Sequence, residues 1–209
     1  AITKKYDFIY ICHRDDDSDC SAKEWVAYNK NLELAEKCFS LMCKKYSYKG
    51  LLIGRSGCKL PDGCDSTKLE TTSKLDYWEM LKKYSECKFI FIPNVSDASP
   101  RVLTEALCHN LPCLVNKNIV GGWKYVTEET GEFFTDENDF CEKLEKLMSN
   151  INKYTPRKHF INNYGIINSG KRLKDFIYDV FGDKVNIPRD QVEYITPEFE
   201  KVDYKKCDL

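Results

Sequence analysis

Residues 88–115, KFIFIPNVSDASPRVLTEALCHNLPCLV, decide the fold of this chain. The stretch begins with a short, almost entirely apolar run, continues through a polar loop into apolar residues at helical spacing, and ends with a second apolar run. Apolar runs of this kind are typical of strands in the middle of a parallel sheet that is covered on both faces. The stretch therefore predicts a strand–helix–strand unit with a polar loop after its first strand.

The same alternation continues on both sides of this unit. Further strands are predicted at residues 6–12 (YDFIYIC), 50–54 (GLLIG), 68–71 and 132–135. Apolar residues at helical spacing predict helices within residues 29–45, 75–84, 140–151 and 173–180. Strands that alternate with helices in this way predict an α/β fold with a single Rossmann-like, doubly wound parallel sheet.

The composition excludes several classes of protein. A chain of 209 residues corresponds to one domain with or without a tail, at about 150 residues per domain. With a net charge of −1, the chain has no overall positive field that would attract nucleic acid or anionic lipid. No apolar run approaches the ~20 residues that a helix needs to cross a bilayer. We predict a Rossmann-like domain over residues 1–182 and a tail or linker over residues 183–209, where the periodicity weakens.

The number and spacing of the cysteines predict free thiols and no metal site. There are 11 of them, an odd number, and no two are spaced as CxxC. Only three histidines are available as further zinc ligands, so a structural zinc site is not expected. We expect reduced thiols and a cytoplasmic location.

The loop and helix after the strand at residue 88 form the sharpest candidate site. Ligands of open parallel sheets bind at the carboxyl ends of the strands. A helix that begins at Pro100 would place Ser99 at its cap and leave the N–H groups of Arg101, Val102 and Leu103 free to bind an anion such as a diphosphate.

Two carboxylates flank this amide-lined segment. Asp97 lies in the loop before the predicted helix, and Glu105 lies near its second turn. Because a carboxylate accepts two O–H donors from a vicinal diol, the pair suits a ligand with a central diphosphate and hydroxyls at both ends. The alternative is that Ser99 merely caps the helix and that both carboxylates are solvated.

Residues 96–115, SDASPRVLTEALCHNLPCLV, resemble the hallmark of the family-four GT-B glycosyltransferases, in which an acid, seven intervening residues and a glutamate precede a run ending in proline and two valines. This resemblance implies one half of a GT-B fold that binds a nucleotide sugar. It also implies that Asp97 contacts the sugar, that backbone amides contact the diphosphate and that Glu105 binds the ribose. Aspartate replaces the more common glutamate at position 97, which leaves the identity of the sugar open.

Other segments within residues 6–150 resemble the same family in the same order. Residues 8–14 (FIYICHR) and the segment around residue 30 (NKNLELAEK) imply that Arg14 and Lys30 hold the diphosphate. Residues 51–57 (LLIGRSG) resemble the ending of the family's second strand. Residues 119–134 (IVGGWKYVTEETGEFF) resemble its double-glycine segment, which adds Gly121 and Gly122 to the donor site.

The resemblance implies a glycosyltransferase that moves a sugar from a nucleoside diphosphate, with uridine diphosphate as the expected nucleotide, to a glycan hydroxyl, with no cofactor required besides the donor. The chain is also similar to glycosyltransferase domains of giant and chlorella viruses, which are fused to other glycan-processing domains. That likeness implies a rhamnosyl donor and the host cytoplasm. Two alternatives stay open: a non-catalytic nucleotide-sugar-binding module that serves a neighbouring domain, and a Rossmann enzyme that processes phosphosugars or nucleosides.

The candidates for the catalytic base lie in the segment that follows the first predicted strand. Asp15, Asp16 and Asp17 admit three interpretations: a solvated loop, the general base for an acceptor hydroxyl, or a metal site in which Asp15 and Asp17 bind Mg²⁺ or Mn²⁺. His13 is a further candidate base because it adjoins the predicted diphosphate site. The three tryptophans are expected in the core, with Trp123 as the alternative candidate to border an acceptor.

Overall fold

The computed structural model describes residues 3–14 and 19–193. The strands are β1 (Tyr6–Ile11), β2 (Gly50–Ile53), β3 (Leu69–Thr72), β4 (Cys87–Ile92), β5 (Cys113–Asn116) and β6 (Gly131–Phe134). The α-helices are α1 (Trp25–Asn29), α2 (Leu32–Leu41), α3 (Tyr77–Ser85), α4 (Arg101–Cys108), α5 (Glu137–Ser149), α6 (Pro156–Tyr164) and α7 (Ile166–Phe181). A π-helical turn, Met42–Tyr46, extends α2.

The strands form one parallel sheet in the order β3-β2-β1-β4-β5-β6. From β1 the chain adds β2 and then β3 towards one edge of the sheet. It then returns to the other side of β1, where it adds β4, β5 and β6 towards the opposite edge. This order confirms the predicted doubly wound, Rossmann-like sheet. It also places the switch point, where a crevice opens at the carboxyl edge, between β1 and β4.

Alternating side chains of the central strands build a core on each face of the sheet. Phe8 and Tyr10 of β1 pack on Phe39 of α2, with ring centroids 5.6 and 5.2 Å apart. Phe91 of β4 packs on Phe140 of α5 at 5.5 Å. These aromatic contacts fix α2 and α5 on one face and leave the opposite face to α3 and α4.

The periodicity of α3 assigns its buried face incorrectly. Trp78 belongs to the apolar spacing seen in the sequence, yet 70% of it is exposed. The helix buries Met80, which that spacing omits, and Tyr84, which it includes. Asp76 and Glu79 form a reciprocal capping box at its N-terminus, which determines where the helix begins. The expectation of core tryptophans is wrong throughout, since Trp25 and Trp123 are also exposed.

Four cysteines are paired in two disulfides, Cys20–Cys58 and Cys43–Cys64. The expectation of reduced thiols is therefore wrong for these four residues, because the spacing of cysteines along the chain does not reveal which of them the fold brings together. The cytoplasmic location rested on that expectation and stays a prediction. Both bonds anchor the long loop between β2 and β3, which carries Cys58 and Cys64.

The chain divides into two compact units, Ala1–His159 and Phe160–Leu209. The first contains the whole sheet. In the second, Arg189 bonds to Asp175 and Asp179 of α7 at 2.6 and 2.8 Å, so the start of the predicted tail folds back along this helix. The proposed division after residue 182 stays a prediction. None of the helices in the described part of the chain is long and apolar enough to cross a bilayer.

Candidate functional site

An open cleft of about 420 Å³ lies at the switch point between β1 and β4. Three walls enclose it: the end of β1 with α1, the start of α3, and the loop that leads into α4. Residues on these walls include His13, Val26, Lys30, Tyr77, Met80, Tyr84, Asp97, Ser99, Arg101, Val102 and Glu105. The fold thus brings most of the predicted site residues to one cleft.

Lys30 and Asp97 form an ion pair at the centre of the site. The Lys30 Nζ lies 2.7 Å from the Asp97 Oδ2, and about a fifth of each side chain is exposed. Asn94 Nδ2 donates to the same carboxylate oxygen at 3.0 Å, and the Ser99 N–H donates to Oδ1 at 3.2 Å. Tyr10 fixes the backbone at Lys30 by donating to its carbonyl at 3.1 Å. Three donors therefore hold the Asp97 carboxylate.

The N-terminus of α4 faces the cleft but differs in detail from the prediction. The helix begins at Arg101 with Pro100 as its N-cap, and no side chain in the described residues caps it, so the predicted capping role of Ser99 is wrong. The Leu103 N–H donates to the Pro100 carbonyl at 3.0 Å and is not free. Within the described chain, the N–H groups of Arg101 and Val102 have no hydrogen-bond acceptor. Two amides of the three therefore remain available to an anion.

Glu105 is held from across the cleft by Tyr84. The Tyr84 hydroxyl donates to Glu105 Oε2 at 3.0 Å. Burial, followed by the neighbouring Glu105 charge, raises the pKa of Tyr84 well above its usual value, so the hydroxyl keeps its proton. No sequence pattern indicates this role, since Tyr84 matches the apolar spacing of α3. One oxygen of Glu105 remains available for hydroxyl donors.

His13 lies on the cleft wall in a state suited to accept a proton. Burial lowers the pKa of His13, and the charges of Lys74 and Lys30 lower it further. Its buried Nδ1 has no hydrogen-bond partner in the described residues. Gly54, at φ +91°, lies against it, and a Cβ there would come within 2.6 Å of the His13 Cα. The glycine is required for this close approach.

Arg14 points away from the cleft wall. Its guanidinium donates to the Ser56 carbonyl at 2.9 Å and lies 3.5 Å from the sulfur atoms of Cys20 and Cys58. The structure therefore brings Lys30, but not Arg14, to the α4 N-terminus. The remaining base candidates, Asp15, Asp16 and Asp17, lie outside the described residues, as does the alternative metal pair Asp15 and Asp17.

Gly121 and Gly122 support the loop in front of α4 and are not on the cleft wall. A Cβ on Gly121 would lie 1.8 Å from the Ala98 carbonyl oxygen, and one on Gly122 would lie 2.5 Å from Pro100 Cγ. Only glycine permits this contact between the two loops. In the described part of the chain, no three His, Cys, Asp or Glu side chains are grouped to hold a metal ion.

No family model matches the chain, and no curated protein matches its sequence. Solved structures do match its fold. TarM superposes with a TM-score of 0.61 at 13% identity over 78% of this chain and 33% of TarM. The lipopolysaccharide outer core galactosyltransferase WaaB gives 0.60 at 14% identity over 86% of this chain and 50% of WaaB.

The pneumococcal O-GlcNAc transferase GtfA, solved with UDP and GlcNAc, gives a TM-score of 0.57 at 12% identity over 75% of this chain and 31% of GtfA. The chain thus spans a third to a half of the length of these proteins. Together with the strand order, these matches show that the chain has the Rossmann-like fold of one half of a GT-B glycosyltransferase.

Proposed function

We propose that this chain binds a nucleoside diphosphate sugar in the cleft and transfers the sugar to a glycan hydroxyl. One observation carries the proposal. The Lys30–Asp97 pair, the free amides of α4 and the carboxylate of Glu105 all face a single cleft at the switch point of the sheet. A cation, an amide-lined helix end and two flanking carboxylates match the groups of a nucleotide sugar in their order along the ligand.

The diphosphate is assigned to Lys30 and to the N–H groups of Arg101 and Val102. The chain has a net charge of −1, so the anion must be held by local groups. Pro100 adds a fixed turn before α4, and Gly121 and Gly122 keep that turn in place. Arg14 would add a second cation if its side chain turned from Ser56 towards the ligand.

The two carboxylates are assigned to the two ends of the donor. Glu105, oriented by Tyr84, accepts from the ribose hydroxyls. Asp97 accepts from hydroxyls of the sugar when Lys30 moves towards the diphosphate. Asn94 and the Ser99 N–H continue to donate to Asp97 in that state, which keeps its carboxylate stabilised.

His13 is assigned as the general base, with Asp15, Asp16 and Asp17 as the alternatives. The base removes the proton of the acceptor hydroxyl, and the acceptor oxygen forms a bond to the anomeric carbon of the sugar. The bond from that carbon to the diphosphate oxygen breaks, and the diphosphate leaves with the electron pair. Lys30 and the α4 amides stabilise the charge that develops on the leaving group.

The nucleotide proposed for the donor is UDP, with rhamnose as the first sugar to test. UDP is present in the GtfA structure, whose fold this chain shares. Rhamnose follows from the resemblance to viral glycosyltransferase domains. Because the matching proteins are two to three times longer than the matched region, we also propose that the chain is fused to or associated with other glycan-processing domains.

Calorimetry with UDP and 2′,3′-dideoxy-UDP tests the ribose assignment. We expect the chain to bind UDP at least ~10-fold more tightly, since hydrogen bonds to a charged group contribute about 1.5–3 kcal/mol. Glu105→Ala should abolish this preference, whereas Glu128→Ala, at an exposed position, should preserve it. A preference that survives Glu105→Ala, or no UDP binding below millimolar concentrations, would contradict the proposal.

A further inference from the structure

The two disulfides of the first unit differ in how accessible they are to a dissolved reagent. Cys20 is exposed and Cys58 is half-buried, so a small thiol can approach this bond from the side of Cys20. In the second disulfide, Cys43 is buried and Cys64 is half-buried. Thiol–disulfide exchange requires a thiolate to attack a sulfur atom directly. Access therefore favours exchange at Cys20.

A guanidinium group contacts both sulfur atoms of the accessible bond. The Arg14 Nη1 lies 3.5 Å from the Cys20 Sγ and 3.5 Å from the Cys58 Sγ. The Nη2 of the same group donates to the Ser56 carbonyl at 2.9 Å, which holds the cation beside the bond. A neighbouring cation stabilises a thiolate, and a stabilised thiolate is the better leaving group in an exchange reaction. The charge of Arg14 thus favours opening of the Cys20–Cys58 bond.

The surroundings of the Cys43–Cys64 bond have the opposite effect. The Cys64 sulfur lies 3.4 Å from the Phe39 carbonyl oxygen, whose partial negative charge disfavours a thiolate at this position. Lys68 donates to the backbone carbonyl of Cys43 at 3.1 Å, but among the described residues no cationic side chain is hydrogen-bonded to a sulfur atom of this bond. One molecule therefore contains an accessible disulfide beside a guanidinium and a less accessible disulfide without such a contact.

We propose that Cys20–Cys58 is a site of reversible thiol–disulfide exchange with small thiols, whereas Cys43–Cys64 is a structural bond. An external thiolate attacks the Cys20 sulfur and forms a mixed disulfide with it. The bond between Cys20 and Cys58 breaks, and Cys58 leaves as a thiolate beside Arg14. A second external thiolate attacks the sulfur of the bound thiol, which releases an external disulfide and the Cys20 thiolate. The chain gains two electrons and the two external thiols lose them.

The position of the bond indicates what its opening would change. Cys20 lies in the segment between β1 and α1, which begins close to His13 on the cleft wall, and Cys58 lies in the loop between β2 and β3. Exchange at Cys20 would remove the covalent link between that segment and the loop. The Cys43–Cys64 bond would still attach the loop to the π-helical turn after α2. The inference does not depend on the proposed sugar transfer.

Reduction of the oxidised chain by glutathione tests the proposal. Samples are quenched with acid at intervals, and peptide mapping by mass spectrometry gives the fraction of each bond that has opened and the site of the mixed disulfide. We expect Cys20–Cys58 to open at least ~10-fold faster than Cys43–Cys64 in the same molecules, with glutathione found first on Cys20. Equal rates for the two bonds, glutathione found first on Cys58, or no Cys20–Cys58 bond in the oxidised chain would overturn the proposal.

Variants at Arg14 separate the effect of its charge from that of access. Arg14→Gln should slow the opening of Cys20–Cys58 about 3-fold or more, because the leaving thiolate loses its neighbouring cation. Arg14→Lys keeps the charge and should open faster than Arg14→Gln. Both variants should leave the rate at Cys43–Cys64 unchanged. If Arg14 only held the loop in place, Arg14→Gln would open as fast as wild type or faster, and that result would overturn the role of the guanidinium.

Discussion

The ion pair between Lys30 and Asp97 determines how an anionic ligand could enter the cleft. Each side chain is largely buried, and their 2.7 Å contact offsets much of the cost of removing two charges from water. A diphosphate brings more negative charge than one carboxylate and can draw Lys30 away. Asp97 retains Asn94 and the Ser99 N–H as donors, so it is not left unpaired. The Asn94 and Ser99 donors therefore keep the Asp97 carboxylate in place whether or not Lys30 contacts it.

The lowered pKa of His13 predicts how the rate of the proposed sugar transfer depends on pH. Burial and the charges of Lys74 and Lys30 lower this pKa below its usual value near 6.5, so the imidazole is neutral at neutral pH. We expect kcat/KM to fall only when the pH drops below about 6.5, as the base becomes protonated. His13→Gln should lower kcat/KM about 100-fold or more and remove this acid limb.

His159→Gln serves as the control for that experiment, because His159 pairs with Glu129 and does not line the cleft. It should leave the pH profile unchanged. An acid limb that persists at the same pH in His13→Gln would assign the base to another residue, such as one of the aspartates that follow it. The same lowered pKa acts on stability: the unfolded chain takes up the proton first as the pH falls through 6.5, so the free energy of unfolding should decrease there.

Among the elements, the loop between β2 and β3 is the most constrained part of the surface. Its two disulfides join it to Cys20 before α1 and to Cys43 in the π-helical turn after α2. Arg55, at the start of the loop and only 3% exposed, donates to the Cys20 carbonyl at 2.7 Å. The loop thus connects the region that follows β1 to the rest of the domain.

These bonds can be checked by peptide mapping after alkylation without reductant. We expect Cys20 linked to Cys58 and Cys43 linked to Cys64, with Cys12, Cys38, Cys87, Cys108, Cys113 and Cys141 alkylated after unfolding. Loops of 38 and 21 residues are closed, so reduction should lower stability by about 2–4 kcal/mol per bond. The structure is contradicted if all four cysteines are alkylated before reduction.

The elements that follow apolar periodicity are the ones the sequence predicts well. Each of the six strands overlaps a predicted one, although β3, with the sequence LETT, contains no apolar run, and α4 begins one residue after the predicted Pro100. Helix α1 was missed because five residues are too few to show a helical period. The fold decides which distant residues come into contact. Local patterns therefore predict neither the disulfides nor the contact between Lys30 and Asp97, which are 67 residues apart.

At the site, the spacing of residues along the sequence predicts which of them line the same cleft, but not the hydrogen bonds that orient each side chain. Asp97, Glu105 and the α4 amides were identified from one segment, and they do line one cleft. The bond from Tyr84 to Glu105 was missed because a tyrosine in an apolar pattern is indistinguishable from a core residue. The exposure of Trp78 was missed for a related reason, since spacing alone does not fix the rotation of a helix on the sheet.

On the scale of the whole molecule, length is the main constraint on function. The chain spans 33% of TarM and 50% of WaaB, and its cleft opens to solvent at the carboxyl edge of the sheet. A donor site can be complete within this one sheet, because every residue assigned to it belongs to the first unit. We expect the acceptor to approach from the open side of this cleft, where a second domain can extend the surface that holds it.

The function proposed for this chain is the transfer of a sugar from a nucleotide donor. Mass spectrometry of the products tests it, with the chain incubated with UDP-rhamnose and a panel of other UDP-sugars, together with the methyl glycosides of glucose, galactose, mannose, xylose, fucose and rhamnose as acceptors. We expect a product heavier than a glycoside by one sugar residue, formed with release of UDP and lost in Lys30→Ala. Donor binding with neither product nor UDP release would contradict it and favour a non-catalytic nucleotide-sugar-binding module.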